Sequence, residues 1–272
     1  MPGPSNAAPL LLPSMRFIVL PFMTALLLPC WGAAQSLVGF GGSVGQADLL
    51  YFSGHPQEAY EILERHLEEH PEDYDALWRA VRAAVVVGIA REGVVEQNYW
   101  LDPAIVLGDR AVQARPEGVD GLYWRGAAAG RRALNAGPSY AADLAQRVYD
   151  DAHAILAQNP LHGGAHNLLG KLNYEIMSLS RVERFIGRVL VRKEALRQSS
   201  WEQAEFHLSA AAREWPDYVV FHFDLAQYYR KRDRKEEARG AFERAVDLPV
   251  VHPPDDRFQA DARRFLDELG SE

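Results

Sequence analysis

Small and large apolar residues recur along the chain with a period of about 34 residues, which is typical of stacked pairs of α-helices. The clearest copy starts at Val219. With Val219 as position 1, positions 7, 8, 11, 20, 24 and 27 hold Leu225, Ala226, Tyr229, Ala238, Phe242 and Ala245. The small residues would let two helices approach closely, and the large ones would fill the space between them. The pattern predicts a hairpin of two helices.

The same positions can be followed towards the N-terminus. In predicted second helices the matching residues are Ala204, Leu208 and Ala211 in one copy, Ala104 and Ala111 in another, and Ala59 and Leu63 in a third. In predicted first helices they are Leu169 and Gly170 in one copy and Gly126 in another. Each predicted second helix is followed by a proline, namely Pro71, Pro116, Pro160 or Pro216. Proline ends a helix because it lacks an N–H and clashes with the preceding turn. In the copy that ends at Pro216, about 22 extra residues separate the two helices.

These repeats predict an all-α fold, a right-handed superhelix (solenoid) of tetratricopeptide-like helical hairpins. The segment from Asp255 to Leu269 places Phe258, Ala262, Phe265 and Leu266 on one stripe, as expected of a C-terminal capping helix. No segment alternates between apolar and polar residues well enough to predict a sheet.

The N-terminal region follows a different pattern. After Met15 come one arginine, an apolar run broken by prolines, and the small residues Gly32, Ala33 and Ala34. This order predicts a secretory signal peptide over residues 1–34, with translation starting at Met15 and export to the periplasm or cell envelope. Residues 35–44 are predicted to be a flexible leader, and residues 45–270 the repeat domain. The single cysteine, Cys30, would leave with the signal peptide.

Four segments resemble the regulator of microtubule dynamics family: LWRAVRA at 77–83, NPLHGGAHNLLG at 159–170, PDYVVFHFDLAQYYRK at 216–231 and FERAVDLP at 242–249. The resemblance covers roughly residues 45–270 and includes the position of the extra residues. In animals this family is associated with microtubules and organelle contact sites, and the repeat domain of one member is linked to phospholipid binding and transfer. An exported protein would not meet cytosolic microtubules, so the resemblance implies the fold and leaves the partner open.

Charge and motifs argue against several functions. The net charge of −8 argues against a nucleic acid partner. Gly41 to Gly45 matches the G-x-S-x-G pattern of serine hydrolases, but it follows a predicted cleavage site instead of a strand, so we interpret it as leader. The pairs His66/His70 and His162/His166 lack the H-E-x-x-H pattern of zinc enzymes. We therefore predict no catalytic residue, metal site or cofactor.

The register also predicts which side chains face the concave groove. Positions 2, 5, 9, 12 and 13 of each first helix should point inwards, and they are aromatic or basic in several copies. The predicted groove residues are Trp78, Arg82, Tyr123, Arg131, Asn167, Lys171, Tyr174, Phe223 and Arg230. Such a surface suits an acidic extended peptide or an anionic lipid. In the alternative interpretation, several of these rings fill the inner wall of a tightly wound solenoid.

The insertion, at residues 176–200, has six basic residues and only two acidic ones between Ile176 and Ser200. Its apolar residues follow helical spacing, which predicts a basic amphipathic helix that docks on an anionic membrane or closes over a headgroup. The residues predicted to act there are Arg181, Arg184, Phe185, Arg188, Val189 and Arg192. The alternative is a helix packed within the solenoid, with its arginines in solvent.

Two hypotheses of function follow. In the first, the protein is a non-catalytic scaffold or adaptor of the cell envelope that binds a protein or peptide partner in its concave groove. In the second, the groove binds or transfers an anionic phospholipid while the basic insertion docks on the membrane.

Overall fold

The computed structural model describes residues 42–180, 184 and 193–270. The predicted signal peptide, its start at Met15 and Cys30 lie outside these residues. The described residues form twelve helices and no strand. The helices are α1 (Ser43–Phe52), α2 (Pro56–Glu69), α3 (Tyr74–Ala90), α4 (Val94–Ala114), α5 (Val119–Ala133), α6 (Pro138–Gln158), α7 (Gly163–Ser178), α8 (Glu194–Gln198), α9 (Trp201–Glu214), α10 (Val219–Lys231), α11 (Lys235–Asp247) and α12 (Asp255–Gly270).

The helices pack as hairpins. α1 packs on α2, α3 on α4, α5 on α6 and α10 on α11, while α12 covers the last hairpin. The fourth hairpin joins α7 to α9 across the insertion, as the register predicts. The prediction of an all-α solenoid of tetratricopeptide-like hairpins with a capping helix is therefore confirmed.

The ends of the helices follow from local sequence. α2, α4, α6 and α9 each end two residues before one of the four prolines. The Asp73 carboxylate accepts hydrogen bonds from the backbone N–H groups of Asp75 and Ala76 and so caps α3. Ser200 caps α9 by accepting from the Gln203 N–H. Ser43 is the first residue of α1, so residues 43 and 44, which the sequence assigns to the leader, are helical.

Small residues hold the two helices of a hairpin close together. Ala226, Ala238 and Ala245 are fully buried around Phe242, as the repeat pattern predicts. Gly170 on α7 meets Leu208 on α9 so closely that a Cβ atom would lie 2.7 Å from the Leu208 Cγ and 2.8 Å from its backbone nitrogen. The α7–α9 hairpin thus depends on the absence of a side chain at Gly170.

A histidine pair also joins α7 to α9. The Nδ1 atoms of His166 and His207 lie 2.8 Å apart, and the His166 Nε2 lies 2.9 Å from the Pro160 carbonyl oxygen. A carbonyl can only accept, so the His166 Nε2 donates to it, and with both rings neutral the His207 Nδ1 donates to His166. Burial, helped by the nearby His166 and His153, lowers the pKa of His207 to about 4. His207 therefore stays neutral at neutral pH.

The first and last repeats also touch. The rings of Phe52 and His252 lie 5.8 Å apart, and the Arg257 guanidinium donates to the carbonyl of Ile89, 168 positions away. We call these four residues the closing contact. The His252 ring stacks in addition on Tyr218, with centroids 5.1 Å apart. The C-terminal segment thus reaches across to α1 and α3.

Replacing Gly170 with alanine should lower the free energy of unfolding by about 1–3 kcal/mol, because the new methyl group overlaps Leu208. The matched control is Gly240→Ala in α11, where nothing lies within 4 Å of the added carbon. This control should raise stability by about 0.5–1 kcal/mol, since alanine is the better helix former. Urea unfolding measures the change in the free energy of unfolding for both variants. Equal changes would contradict the close approach of the helices at Gly170.

His207→Asn should make folding less sensitive to acid. The pKa of His207 is lower in the folded protein, so its contribution to stability is present above about pH 6.5 and is lost as the pH falls towards 4. At pH 5 the loss in the parent protein should be about 2 kcal/mol. Between pH 7 and pH 5, we expect the free energy of unfolding in urea to fall less for the variant than for the parent. The control is His70→Asn, at an exposed position, whose free energy of unfolding should fall as much as that of the parent.

Candidate functional site

The first helix of each hairpin contributes to one inner face, which we define by Tyr51 on α1, Tyr123 on α5, Lys171 on α7 and Asp224 on α10. Burial raises the pKa of Tyr123, and Tyr218, Tyr51 and Asp224 add to the shift while Arg131 opposes it. Groups from α1, α5 and α10 therefore lie within electrostatic range of one tyrosine hydroxyl. The predicted groove residues Tyr123 and Lys171 both lie on this face.

At the N-terminal end of the inner face, Arg82 is engaged by the protein itself. Its guanidinium pairs with the Asp48 carboxylate and lies 3.9 Å from the centroid of the Tyr51 ring and 5.2 Å from that of Trp78. Arg82 is only 7% exposed. The prediction that it faces an open groove is wrong, because Asp48 and Tyr51 of α1 cover it.

In the middle of the inner face, four side chains from α7 and α10 form a polar cluster. The Lys171 ammonium lies 3.2 Å from an Asp224 oxygen and 3.3 Å from a Glu175 oxygen, and the Asn167 amide donates to Asp224 over 3.0 Å. Desolvation alone would lower the pKa of Lys171, but Asp224 and Glu175 outweigh it and the pKa is raised. Asn167 is buried, so this predicted groove residue serves the cluster.

At the C-terminal end, the capping helix α12 occupies part of the predicted groove. The Phe223 ring is 8% exposed and lies 5.2 Å from the ring of Phe258 and 5.9 Å from that of Phe242. The prediction that Phe223 faces a ligand is therefore wrong, since this ring anchors α12. Arg230 lies 4.2 Å above the ring of Phe265 and remains exposed.

Six predicted residues remain at least partly exposed: Trp78, Tyr123, Arg131, Lys171, Tyr174 and Arg230. The positive charge of Arg131 disfavours that of Lys171, and burial raises the pKa of Tyr174 although Lys171 and Arg230 oppose the shift. The three cations Arg131, Lys171 and Arg230, on α5, α7 and α10, are thus within electrostatic range of one another or of Tyr174. Within the described residues, Lys171 has carboxylate partners, whereas Arg131 and Arg230 have none.

Of the six insertion residues predicted to act on a membrane or headgroup, only Arg184 falls within the described part of the chain. Its guanidinium donates to the Met177 carbonyl over 2.6 Å and to the Leu179 carbonyl, so it caps the C-terminal end of α7. The other predicted residues, Arg181, Phe185, Arg188, Val189 and Arg192, lie outside the described residues. The proposed docking on a membrane stays a prediction.

The carboxylate and aromatic partners that engage Arg82 on the inner face were not predicted from the sequence. Asp48 lies 34 residues before Arg82, at the same position of the preceding repeat, and Tyr51 lies 34 residues before Val85. Extending the register one repeat further towards the N-terminus, to residues 45–52, would have shown an acidic residue opposite Arg82. Tyr218 lies between repeats, so no register position marks it.

Among the described residues, no group of three or more His, Cys, Asp or Glu side chains is arranged so that it could hold a metal ion. None of the described helices combines the length and apolar character needed to cross a bilayer.

Comparison with known proteins adds a family and a fold. The family described as Regulator of microtubule dynamics protein 1-3 matches residues 44–270. Regulator of microtubule dynamics protein 1 of Bos taurus is 23% identical over 223 residues, which cover 81% of this chain and 69% of the relative. Regulator of microtubule dynamics protein 2 of Rattus norvegicus is 22% identical over 224 residues, covering 79% of this chain and 52% of the relative. The chain thus spans about half of the second relative.

Among solved structures, a thermophilic TPR protein of Thermus thermophilus superposes with a TM-score of 0.55 at 19% identity. The match covers 82% of this chain and 97% of the other. This likeness shows the fold alone.

Lys171→Met should destabilise the protein by about 2 kcal/mol, because Asp224 is 4% exposed and would lose its cation. Adding Asp224→Asn in the same chain should restore part of that loss, since a neutral amide needs no counter-charge. A double-mutant cycle by urea unfolding gives the coupling. Strictly additive effects would show that the two side chains do not stabilise each other.

Proposed function

The chain belongs to the regulator of microtubule dynamics protein 1-3 family, and we propose that it is a non-catalytic scaffold of the cell envelope. In this proposal its inner face holds an acidic, extended segment of a partner protein. The tetratricopeptide-like fold is consistent with a scaffold or protein-binding role. The nature of the partner and the envelope location are inferences from the residues of this chain.

The observation that carries the proposal is the row of cations Arg131, Lys171 and Arg230 on successive first helices. Lys171 is paired with Asp224 and Glu175, whereas Arg131 and Arg230 have no carboxylate partner among the described residues. The chain as a whole has a net charge of −8, so a cluster of uncompensated arginines on the inner face is a local feature. Guanidinium groups form forked, charge-assisted hydrogen bonds with carboxylates. The partly exposed rings of Tyr123 and Tyr174 lie beside these cations and offer apolar contact area to the same segment.

An extended peptide fits this row better than a folded domain would. Successive first helices present one cation each, so the charges are distributed along the stack of repeats. A peptide with carboxylates at intervals can follow that stack and leave the outer helices untouched.

The proposed location rests on the N-terminal sequence. The apolar run after Met15 and the small residues at 32–34 form a signal-peptide pattern. Export would bring the repeats into the periplasm or envelope, where the acidic segment would belong to another envelope protein.

The alternative is an anionic phospholipid bound on the same face. The basic composition of residues 176–200 favours it, because Lys and Arg near an amphipathic helix are attracted to anionic headgroups. Extracting the purified protein with organic solvent separates the two proposals. Stoichiometric phospholipid in the extract would support the alternative, and its reproducible absence would remove it.

Arg131→Glu combined with Arg230→Glu should weaken binding of a fluorescent Asp/Glu-rich peptide by tenfold or more, about 1.4 kcal/mol, because repulsion replaces two ion pairs. Fluorescence anisotropy at two salt concentrations measures the effect, and binding to the parent protein should weaken as salt rises.

The matched control is Arg213→Glu, at an exposed position of α9 whose carboxylate neighbour is Glu214. It should bind the peptide like the parent. If the control weakens binding as much as the double variant, the peptide responds to net charge and not to the inner face.

A further inference from the structure

A polar cavity of about 310 Å³ is formed by residues of α6, α7, α8 and α9. Its lining includes Tyr149 and His153 of α6, Leu169 of α7, and Gln203 and His207 of α9. None of the residues that define the inner face lines it. Pockets that hold small molecules usually have volumes of about 300–1,000 Å³, so the cavity is large enough for a small ligand.

His207 contributes a hydrogen-bond acceptor that lacks a partner. The residue is only 9% exposed, and its Nδ1 donates to His166 when both rings are neutral. A neutral imidazole carries one N–H group, so the His207 Nε2 holds a lone pair. Within the part of the chain that the structure describes, no donor is bonded to this nitrogen. A buried acceptor without a donor is costly, so this nitrogen is a suitable position for a donor group of a ligand.

Two further acceptors line the cavity on α6. The His153 Nδ1 lies 2.8 Å from the Tyr149 carbonyl oxygen. Because a carbonyl can only accept, the Nδ1 donates to it, and the Nε2 of the neutral ring is an acceptor. The Tyr149 hydroxyl donates to Gln198 over 3.0 Å and keeps the lone pairs of its oxygen. The exposed amide of Gln203 adds N–H donors to the same cavity.

The lining favours an uncharged ligand. A charged group held away from water needs a partner of opposite charge. Among the described residues, no Asp, Glu, Lys or Arg side chain lines the cavity. Burial, helped by His166 and His153, lowers the pKa of His207 to about 4, so this ring brings no charge at neutral pH. Hydroxyl groups suit such a lining, because each one donates one hydrogen bond and can accept others.

The cavity also has an apolar part. The rings of Tyr149 and His153 lie 4.0 Å apart at an angle of 34°, and the aliphatic side chain of Leu169 lines the same cavity. Such groups can pack against the C–H groups of a saturated ring. A ring with hydroxyl groups around its rim can therefore contact the apolar and the polar parts of the lining at the same time.

We propose that this cavity binds an uncharged, polyhydroxylated ring such as a monosaccharide, with one hydroxyl group donating to the His207 Nε2. A free sugar and the terminal sugar of a glycan chain share this chemistry. The site is separate from the proposed function, because the acidic peptide would bind other residues.

A first experiment observes the ring nitrogens directly. The full chain is prepared with isotope-labelled histidine, and NMR spectra are recorded at pH 7 with D-glucose, D-mannose or myo-inositol at high millimolar concentration. His207→Asn identifies the His207 Nε2 resonance. At least one of these probes should shift it, because the nitrogen gains a hydrogen bond. Glucuronate and glucosamine, the charged counterparts of glucose, should not shift it.

A second experiment removes one acceptor at an exposed position. His153→Leu should weaken binding of the responding probe by on the order of fivefold, because one hydrogen bond to the ligand is lost. The matched control is His70→Leu, an exposed histidine that follows α2, and it should bind the probe like the parent. Urea unfolding checks that both variants remain folded.

The outcomes separate this site from the proposed function. The site is overturned if none of the uncharged probes shifts the His207 Nε2 resonance, or if the charged counterparts shift it equally. Equal binding by His153→Leu and His70→Leu would overturn it as well. Tighter binding of maltotriose than of glucose would support the end of a glycan chain as the ligand, and the reverse would support a free sugar. Binding of the acidic peptide should be the same in His153→Leu and in the parent.

Discussion

The close approach of two helices within each hairpin is the constraint on which the rest of the structure depends. At each crossing an alanine or glycine stands where a larger side chain would hold the helices apart, as Gly170 does against Leu208. Buried apolar side chains then fill the remaining space at the packing density of a protein interior. Because every repeat obeys the same constraint, the hairpins stack in register and their first helices share one inner face.

That close stacking decides how the inner face is used. Charged side chains on neighbouring first helices are brought near one another, and a buried charge without a partner is costly. Arg82 is therefore matched by Asp48, and Lys171 and Asn167 by Asp224. Among the groove residues that the structure describes, Arg131 and Arg230 have no carboxylate partner in this internal pairing. Their charges therefore remain available to a binding partner.

Much of the fold could be predicted because its determinants are local or periodic. The four prolines and the 34-residue period place the helices, and the same period pairs α7 with α9 across the insertion. The site was harder to predict. A register position gives the direction in which a side chain leaves its own helix, but says nothing of what comes to lie opposite. Phe223 does point inwards, and α12 then covers it.

The sequence by itself determined that the chain is a stack of helical hairpins and where the helices end. It also determined which side chains point from their own helix towards the inner face. All three depend on the spacing of residues along one chain. Only the tertiary structure decided that Arg82 and Phe223 are enclosed, that Asp224 serves two neighbours, and that His252 meets Phe52. Such contacts join residues as many as 200 positions apart. They depend on the curvature accumulated over all the repeats, to which each hairpin adds a small rotation that no single motif records.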